Sequence, residues 1–269
     1  MNDRVSLSGV STGTWPLDRD VALCAEVGVT KVGVPMAKLD ALGTDDAAAQ
    51  LRDAGVGVSS VLAQQAFPLA DPDRWDQCRG ELRRAVDSAA MLDAGCLYLT
   101  TGPPGVGVLT DEACTRFASA IAPVLDYAAG AGVAIALEHN QALRRDIGFI
   151  HTLRDMVEFA DEIEVGVCVE LNNCWIERDL PGIFRQGVER FRVVQVSDFA
   201  IGTLQTPDRR VPGDGDIPLE RVIGLLLECG YVGAFELEIV GPYIDAEGVG
   251  AASRRGLEWL GGTLDRLGA

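Results

Sequence analysis

The stretch 133–140 reads VAIALEHN, in which five apolar residues lead to Glu138 and then to a polar loop. Three later runs have the same design: VGVCVE closes on Glu170, RVVQ on Gln195 and AFELE on Glu238. Each run is short and largely apolar, which is typical of a buried strand in a parallel sheet. The sequence therefore predicts four strands that each end on a carboxylate or an amide.

The same rhythm extends along the whole chain, where short β-branched runs alternate with longer amphipathic stretches. Helical patterns cover 73–92, 112–129, 152–160, 219–228 and 251–267. Eight strand candidates lie at 5–10, 31–34, 56–62, 97–101, 133–138, 165–170, 191–196 and 234–239. Eight alternations in 269 residues give about 34 residues per unit, which predicts an α/β fold, a single (β/α)8 TIM barrel.

Glycines indicate which end of the predicted barrel is the bottom. Glycine just beyond a helix C-terminus is the usual residue for a left-handed turn. Five strand candidates are preceded by such a residue: Gly28, Gly55, Gly95, Gly132 and Gly230. Because these turns belong to the bottom of the barrel, the strand ends at Glu138 and its counterparts belong to the top, which is the catalytic face of such barrels.

The composition predicts one globular domain over residues 1–269. Hydrophobic residues make up 48% and charged residues 23%, and no Pro/Gly/Ser-rich linker marks a boundary. The 23 Lys and Arg against 40 Asp and Glu give a formal charge of −17, without a basic run long enough to follow a phosphate backbone. We therefore expect no nucleic-acid partner and no membrane partner.

Cysteine usage and the N-terminal residues favour a cytoplasmic location. The seven cysteines are scattered, odd in number and never in a CxxC pair, which suits a reducing compartment better than a disulfide framework. The first ten residues, MNDRVSLSGV, lack the pattern of a signal peptide, and no run of about 18 apolar residues occurs. We expect a cytoplasmic protein.

Three glutamates and one glutamine are the candidate metal ligands. A carboxylate at the end of a buried strand is costly to desolvate unless positive charge neutralises it. Oxygen ligation by Glu138, Glu170, Gln195 and Glu238 favours Mg²⁺ or Mn²⁺ over zinc, which prefers His and Cys. The alternatives are glutamates that face solvent or pair with arginine, and a glutamine that satisfies a backbone group. Glu236 shares a strand face with Glu238 and competes with it.

Five segments give the chain a specific resemblance. In order they are VAIALEHN, VELNNCW, VQVSDF, VPGDGDIPLERVI and GYVGAFELEIVGP, within residues 133–242. Together they resemble the xylose-isomerase-like TIM-barrel superfamily of sugar isomerases and epimerases, with ketose 3-epimerase, hydroxypyruvate isomerase and inosose dehydratase relatives. The first half of the chain resembles it only in its alternation of strands and helices. The GYVGAFELE match makes Glu238, rather than Glu236, the counterpart of the family's last ligand.

Three positions depart from the family pattern. The family's strand-six aspartate is Glu170 here, the histidine three residues later is Asn173, and the strand-seven histidine is Gln195. A glutamine ligand resembles the hydroxypyruvate isomerase branch, so the resemblance still implies metal binding. Glutamate in place of aspartate lengthens the ligand arm by one methylene. Loss of the histidine removes a substrate contact expected in the ketose epimerases.

The resemblance implies a cofactor and a reaction. One divalent ion, Mn²⁺ or Mg²⁺ with Co²⁺ as a further candidate, is expected to hold the carbonyl and adjacent hydroxyl of a small sugar-like substrate. It would stabilise the enediolate formed when the neighbouring C–H loses its proton. Glu138 and Glu238 are the candidates for removing and returning that proton. Many members of the superfamily are dimers or tetramers, which implies a homo-oligomer.

The loop before VPGDGD supplies two candidates for substrate binding. Arg209 and Arg210 are placed to bind a substrate oxygen, and the alternative is that they are solvated loop charges. VPGDGD itself is rich in glycine but lacks the GxxxxGK[ST] spacing of a phosphate loop. We therefore interpret it as a shaped turn.

Four further side chains are candidates for substrate binding. His139 follows Glu138 directly and is expected to reach the substrate or orient that carboxylate, with a satisfied loop histidine as the alternative. Asn173 takes the place of the family's substrate-contacting histidine. Trp15 and Trp175 fall in loops of the top face and are candidates to wall a pocket by stacking, with plain packing as the alternative.

Two other functions compete with an isomerase or epimerase. A lyase of the same superfamily would begin with the same proton abstraction and then expel a β-substituent, as in a dehydratase or an enzyme that cleaves an oxidised glycoside. A non-catalytic binding or assembly subunit is the alternative of another class. Endonuclease IV of DNA repair shares the barrel, but it needs a histidine-rich zinc site and a basic groove, whereas this chain has two histidines and a charge of −17.

Overall fold

The eight apolar runs form parallel strands that close into a barrel. The computed structural model describes residues 1–64 and 66–269. Its strands are β1 (Val5–Ser8), β2 (Lys31–Pro35), β3 (Gly57–Leu62), β4 (Leu97–Thr100), β5 (Ile135–Glu138), β6 (Gly166–Glu170), β7 (Phe191–Val196) and β8 (Ala234–Leu237). Each strand pairs in parallel with the next, and β1 pairs with β8 to close the ring. The predicted (β/α)8 TIM barrel is therefore confirmed.

Helices surround the barrel and connect its strands. Within the described residues, none of them is both long enough and apolar enough to cross a bilayer. The helices are α1 (Leu17–Val27), α2 (Met36–Leu42), α3 (Thr44–Asp53), α4 (Trp75–Met91), α5 (Thr110–Gly130), α6 (Leu153–Glu162), α7 (Leu171–Cys174), α8 (Leu180–Gly187), α9 (Leu219–Glu228), α10 (Pro242–Glu247) and α11 (Val249–Leu267). Each helical pattern predicted from the sequence overlaps one of these elements.

Four of the five glycines predicted to end helices adopt the left-handed conformation. The exception is Gly95, because α4 ends through Asp93, whose φ is 49°. At Gly95 a Cβ would lie 2.6 Å from the carbonyl oxygen of Ser59, so this glycine is required by the close approach of β3. The other four, with φ of 75°, 65°, 72° and 92°, are Gly28, Gly55, Gly132 and Gly230.

A cluster of phenylalanines holds the top of the barrel to α5. The ring of Phe117 lies at its centre, with centroids 5.9 Å from Phe67, 6.1 Å from Phe149 and 6.1 Å from Phe159, all in edge-to-face contact. Phe67 and Phe149 belong to the loops that follow β3 and β5. The buried rings therefore fix two of the loops that border the strand ends.

Alternate side chains fill the barrel interior. Successive strand residues point to opposite faces, so the positions two residues beyond an inward side chain also face inward. A small interior cluster contains Cys96, Tyr98, Ala136, Cys168 and Val193. Two residues further along β5, β6 and β7 are Glu138, Glu170 and Gln195. This alternation explains why the polar ends of β5, β6 and β7 meet above Ala136, Cys168 and Val193.

Candidate active site

A cavity of about 490 Å³ opens at the carboxyl ends of the strands. Glu138, Glu238 and Arg209 line it, together with amide, hydroxyl and apolar side chains from the loops above the barrel. Its volume falls within the range of small-molecule sites, about 300–1,000 Å³. A cavity of suitable size therefore lies where the sequence predicts the functional site.

Glu238 is fixed both through its side chain and through its backbone. It follows β8 directly, is 5% exposed, and its Oε2 accepts hydrogen bonds from Gln195 Nε2 and, at 3.3 Å, from Ser8 Oγ. The hydroxyl of Ser11 donates to the carbonyl before Glu238 at 3.1 Å and accepts from the N–H after it at 2.9 Å. The loop after β1 thus holds the end of β8 in place.

Glu170 and Gln195 lie fully buried at the ends of β6 and β7. Glu170 Oε1 accepts a 3.0 Å hydrogen bond from the backbone N–H of Asn172, and its Oε2 pairs with Arg209. Gln195 Nε2 donates to the Tyr98 hydroxyl at 3.1 Å as well as to Glu238. The Gln195 Oε1 atom is buried and has no hydrogen-bond partner among the described residues.

The guanidinium of Arg209 lies between Glu170 and Glu238. It pairs with Glu170, lies 3.1 Å from Glu238 Oε1 and donates to the Glu238 carbonyl at 2.9 Å. Burial acts to lower the Arg209 pKa, but the charges of Glu170, Glu238 and Glu138 outweigh it and raise that pKa above its usual value. Arg209 is therefore the positive charge in the cluster that it forms with Glu138, Glu170 and Glu238.

The cluster carries more negative charge than Arg209 can balance. With Glu138, Glu170 and Glu238 ionised, three negative charges and one positive charge leave a net charge of −2. Burial, followed by the charges of Glu238 and Glu170, raises the pKa of Glu138 well above its usual range. Burial also raises the pKa of Glu170, although Arg209 opposes that shift. The site therefore favours either protons or a further cation.

The side chains as they stand do not form a metal centre. In residues 1–64 and 66–269, no group of three or more His, Cys, Asp or Glu is arranged to hold a metal ion. Arg209 lies between two of the candidate ligands, Glu170 and Glu238. The donor chemistry nevertheless suits a divalent ion, because it offers three carboxylates and the unpartnered oxygen of Gln195. Metal binding stays a prediction, and it requires Arg209 to release at least one carboxylate.

Of the other predicted contacts, Asn173 lines the cavity, whereas His139 and Arg210 lie away from it. Because Glu138 points inward, the next residue along points to the opposite face, and His139 is fully buried there. Burial lowers the His139 pKa to about 4, so the ring is neutral at pH 7. Arg210 pairs with Asp208 at 2.6 Å and lies over the Tyr243 ring at 4.3 Å.

Neither of the predicted tryptophans walls this cavity. Trp15 lines a separate cavity beside α1 and α2, and the Arg19 guanidinium lies 3.6 Å from its ring centroid. Trp175 follows α7 and packs against the main core. Both belong to loops of the top face as predicted, but Trp15 lines the other cavity and Trp175 packs against the core. The sequence does not determine that direction.

Several residues of the site were not among the predicted contacts. Tyr98 lines the cavity and accepts the hydrogen bond from Gln195, and Asn140 Nδ2 donates to Glu138 Oε1 at 3.3 Å. Asn172 contacts Glu170, and its side chain accepts from Gln141 at 2.9 Å. The strand alternation of LYLT indicates the inward direction of Tyr98. The two asparagines each follow a candidate ligand by two residues.

The VPGDGD segment folds around Asp198. The backbone N–H groups of Gly213 and Ile217 donate to Asp198 Oδ2 at 2.9 Å and Oδ1 at 3.1 Å. At Gly215 a Cβ would lie 2.3 Å from the same carboxylate. The segment is therefore a shaped turn whose N–H groups serve a carboxylate of this chain.

A fourth buried glutamate, Glu236, lies one interior layer below Glu238. Its Oε2 accepts hydrogen bonds from Ser59 at 2.8 Å and Ser60 at 2.9 Å, and a Cβ at Gly33 would lie 2.5 Å from both carboxylate oxygens. Burial raises the Glu236 pKa to about 7. Glu236 therefore faces a serine-lined interior, whereas Glu238 faces the cavity.

With the barrel and its strand-end cavity described, comparison with known proteins assigns the family. The model of the xylose isomerase-like TIM barrel family matches residues 21–262. Since this match covers most of the chain, the protein belongs to that family. No curated protein sequence matches the chain significantly.

Solved structures share the fold along nearly the full chain. A protein from Sinorhizobium meliloti 1021 has a TM-score of 0.88 at 24% identity, with 98% of each chain covered. The IolI protein, solved with a bound zinc atom, has a TM-score of 0.84 at 18% identity, also with 98% of each chain covered. D-psicose 3-epimerase from Clostridium cellulolyticum H10, solved with D-tagatose, has a TM-score of 0.79 at 16% identity, with 98% of this chain and 99% of that chain covered.

Proposed function

We propose that this protein is a divalent-metal-dependent isomerase or epimerase of a small sugar or hydroxy-ketone. The observation that carries the proposal is the pair of Glu138 and Glu238, which end two barrel strands, line one cavity and each accept a hydrogen bond from an amide side chain. Structural similarity supports it, because the solved structures that share this fold include D-psicose 3-epimerase. Two carboxylates beside one cavity suit removal of a proton and its return.

Four side chains would hold the ion, which we propose to be Mn²⁺ or Mg²⁺: Glu138, Glu170, Gln195 and Glu238. When bound, such an ion supplies a Lewis acid that polarises the carbonyl of the substrate. The zinc in the related IolI protein supports a divalent ion in this family without indicating which ion this chain prefers. Arg209, once released from a carboxylate, is available to bind a substrate oxygen in the cavity that it lines.

Glu138 is the proposed base. Its carboxylate takes the proton from the C–H next to the substrate carbonyl, and the electrons of that bond pass into an enediolate. Glu138 lines the cavity, and Asn140 Nδ2 donates to its Oε1 at 3.3 Å, which fixes the carboxylate where a substrate would bind. In an isomerisation Glu138 returns that proton to the neighbouring carbon. In an epimerisation a protonated Glu238 delivers its own proton to the other face and becomes the carboxylate, while Glu138 keeps the proton that it removed. If the enediolate instead expels a β-substituent, the outcome is that of a lyase, and product analysis distinguishes the two.

Hydrogen exchange in deuterated water tests the proposal. The purified protein is treated with chelator, supplied with Mn²⁺, Mg²⁺ or Co²⁺, and screened by NMR for exchange of the α-hydrogen of candidate ketoses and ketoglycosides. We expect metal-dependent exchange that falls about 10²–10⁴-fold in Glu138→Gln and Glu238→Gln. Glu258→Gln, an exposed change on α11, is the matched control and should leave exchange unaltered.

Two results would contradict the proposal. Exchange that persists unchanged in Glu138→Gln would remove the proposed base. A protein that binds no divalent ion by calorimetry and exchanges no substrate would instead support a non-catalytic binding or assembly subunit. Metal content and exchange are measured separately, so loss of one is not mistaken for loss of the other.

A further inference from the structure

We infer that the substrate of this cavity is an uncharged sugar that carries an apolar substituent, rather than a phosphorylated sugar. The inference rests on the proposed function, since it names the substrate class for the same site. Three features of the cavity carry it: its cations are already paired, its polar side chains are otherwise largely neutral, and apolar side chains from several loops border it.

The cations of the cavity are engaged by carboxylates of the chain. Among the described lining residues only Arg144 and Arg209 are cationic. Arg144 binds Asp146 through three hydrogen bonds, Nε to Oδ1 at 2.9 Å, Nε to Oδ2 at 3.3 Å and Nη2 to Oδ2 at 3.0 Å. Arg209 is held by Glu170 and Glu238, and a divalent ion would only bring that cluster from a net charge of −2 to zero. Even where that ion releases Arg209 to a substrate oxygen, the cluster has no excess positive charge, so the charge of a phosphate would not be balanced.

Neighbouring groups do not replace those cations. The N–H groups of Gly213 and Ile217 already donate to Asp198, so the glycine-rich turn is not available as a phosphate cradle. Arg210 beside that turn pairs with Asp208. Of that pair, Asp208 lines the cavity and Arg210 does not, so the pair presents no cation there.

The remaining polar lining suits hydroxyl groups. Much of it consists of the side-chain amides of Asn140, Gln141, Asn172, Asn173 and Gln205. An amide offers both donors and an acceptor, which matches a sugar hydroxyl without requiring charge. The polar part of the cavity is therefore built for a neutral polyhydroxy compound.

The cavity is larger than a free hexose needs and has an apolar border. Its volume of about 490 Å³ corresponds to about 16 water volumes at ~30 Å³ each. A hexose has twelve non-hydrogen atoms, and bonded atoms lie closer together than separate waters. Half-buried apolar side chains from five different strand ends or loops line the same cavity: Val10, Leu62, Ile147, Phe199 and Val240. Covering them with an apolar substituent removes that surface from water, which favours binding.

A ligand series on the unaltered protein tests the inference first. Phenyl 3-ketohexoside, methyl 3-ketohexoside, free ketohexose and ketohexose 6-phosphate are titrated by calorimetry in the presence of Mn²⁺. We expect the phenyl glycoside to bind at least tenfold more tightly than the methyl glycoside, and the phosphate to bind more weakly than the free ketohexose. Equal affinity for the two glycosides, or a preference for the phosphate, would overturn the inference.

Variants then locate the apolar contact. Phe199→Ala should lose most of the preference for the phenyl glycoside over the methyl glycoside. Its affinity for the methyl glycoside should change less than twofold. Val232→Ala is the matched control, because Val232 is 85% exposed and lies outside the cavity lining. If the two variants weaken phenyl binding equally, the apolar border is not the binding site. Melting temperatures report whether either variant is unfolded. If one is, the inference is tested by the ligand series on the unaltered protein.

Hydrogen exchange on the same ligands separates this inference from the proposed function. If the predicted order of affinities holds but no ligand exchanges its α-hydrogen, the proposed reaction fails and the binding preference stands. If exchange occurs with ketohexose 6-phosphate as readily as with the glycosides, the reaction stands and the substrate class fails.

Discussion

Replacement of Arg209 by glutamine provides the most direct test of how this site balances its charge. The guanidinium contacts two carboxylates, one from β6 and one that follows β8, and its own side chain is 15% exposed. Glutamine removes the positive charge while retaining a polar side chain. We expect Arg209→Gln to destabilise the metal-free protein and to strengthen its binding of Mn²⁺.

The size of the destabilisation follows from the burial of the partners. The side chains of Glu170 and Glu238 are 0% and 7% exposed, and removing one partner of such a pair costs about 3–5 kcal/mol. For a chain of this length, that corresponds to a fall in melting temperature of roughly 6–20 °C. The loss of stability caused by Arg209→Gln should be smaller at acid pH, because protonated glutamates no longer need a counter-charge.

The gain in metal affinity follows from the same charge. A unit charge about 5 Å from another interacts by about 3 kcal/mol at an effective dielectric constant of 20. Arg209 therefore repels an incoming divalent ion while also competing for its ligands. Its removal should tighten Mn²⁺ binding at least tenfold, which is about 1.4 kcal/mol and well within that repulsion.

The assay is thermal unfolding with and without Mn²⁺, combined with calorimetric titration of the ion. The control is Arg210→Gln, one residue along, whose guanidinium pairs with Asp208 outside the cluster. That variant should lose less stability than Arg209→Gln, because it removes one ion pair where Arg209 serves two carboxylates, and its Mn²⁺ affinity should be unaltered. The reasoning is refuted if the two variants lose equal stability, or if Arg209→Gln binds Mn²⁺ more weakly than the parent protein.

Two further predictions concern the interior. Phe117→Ala should lower the free energy of unfolding, measured in urea, by about 3–5 kcal/mol because it empties the centre of the phenylalanine cluster. Phe117→Leu should lower it by less. A loss below about 1 kcal/mol in Phe117→Ala would contradict the packing described. The Glu236 pKa is raised from 4.5 to about 7, so the folded state holds this proton more tightly than the unfolded state. The free energy of unfolding of the metal-free protein should therefore fall by up to about 3 kcal/mol as pH rises from 4.5 to 7. Glu236→Gln should abolish that part of the fall. An unchanged pH profile of stability in the variant would argue against this role of Glu236.

The barrel and the strand-end residues were predictable because both depend on local periodicity. Apolar runs separated by helical patterns define the strands, and a side-chain period of two directs Glu138 and Glu170 to the same interior as Gln195. The same rule predicts the direction of Tyr98. The family motif also distinguished Glu238 from Glu236, and the structure places only the former at the cavity.

The positions of loop side chains were not predictable in this way. Nothing in the periodicity of the sequence indicates that Arg209, from the long segment between β7 and α9, lies between two strand-end glutamates. Trp15 and Trp175 share the top face with the cavity but turn towards other packing partners. Such directions depend on contacts between residues far apart in the chain. The metal, the homo-oligomer and the cytoplasmic location stay predictions.

Charge balance links the proposed ion, Arg209 and the uncharged substrate. With a divalent ion, the three glutamates and Arg209 sum to zero. Transfer of a proton from the substrate to Glu138 does not alter that sum, because the carboxylate becomes neutral as the enediolate gains its charge. An uncharged substrate thus leaves the net charge of the buried site unchanged from binding to product release. A phosphate would add up to two negative charges where the described cavity residues offer no excess positive charge, so the arrangement that suits proton transfer also disfavours a phosphorylated substrate.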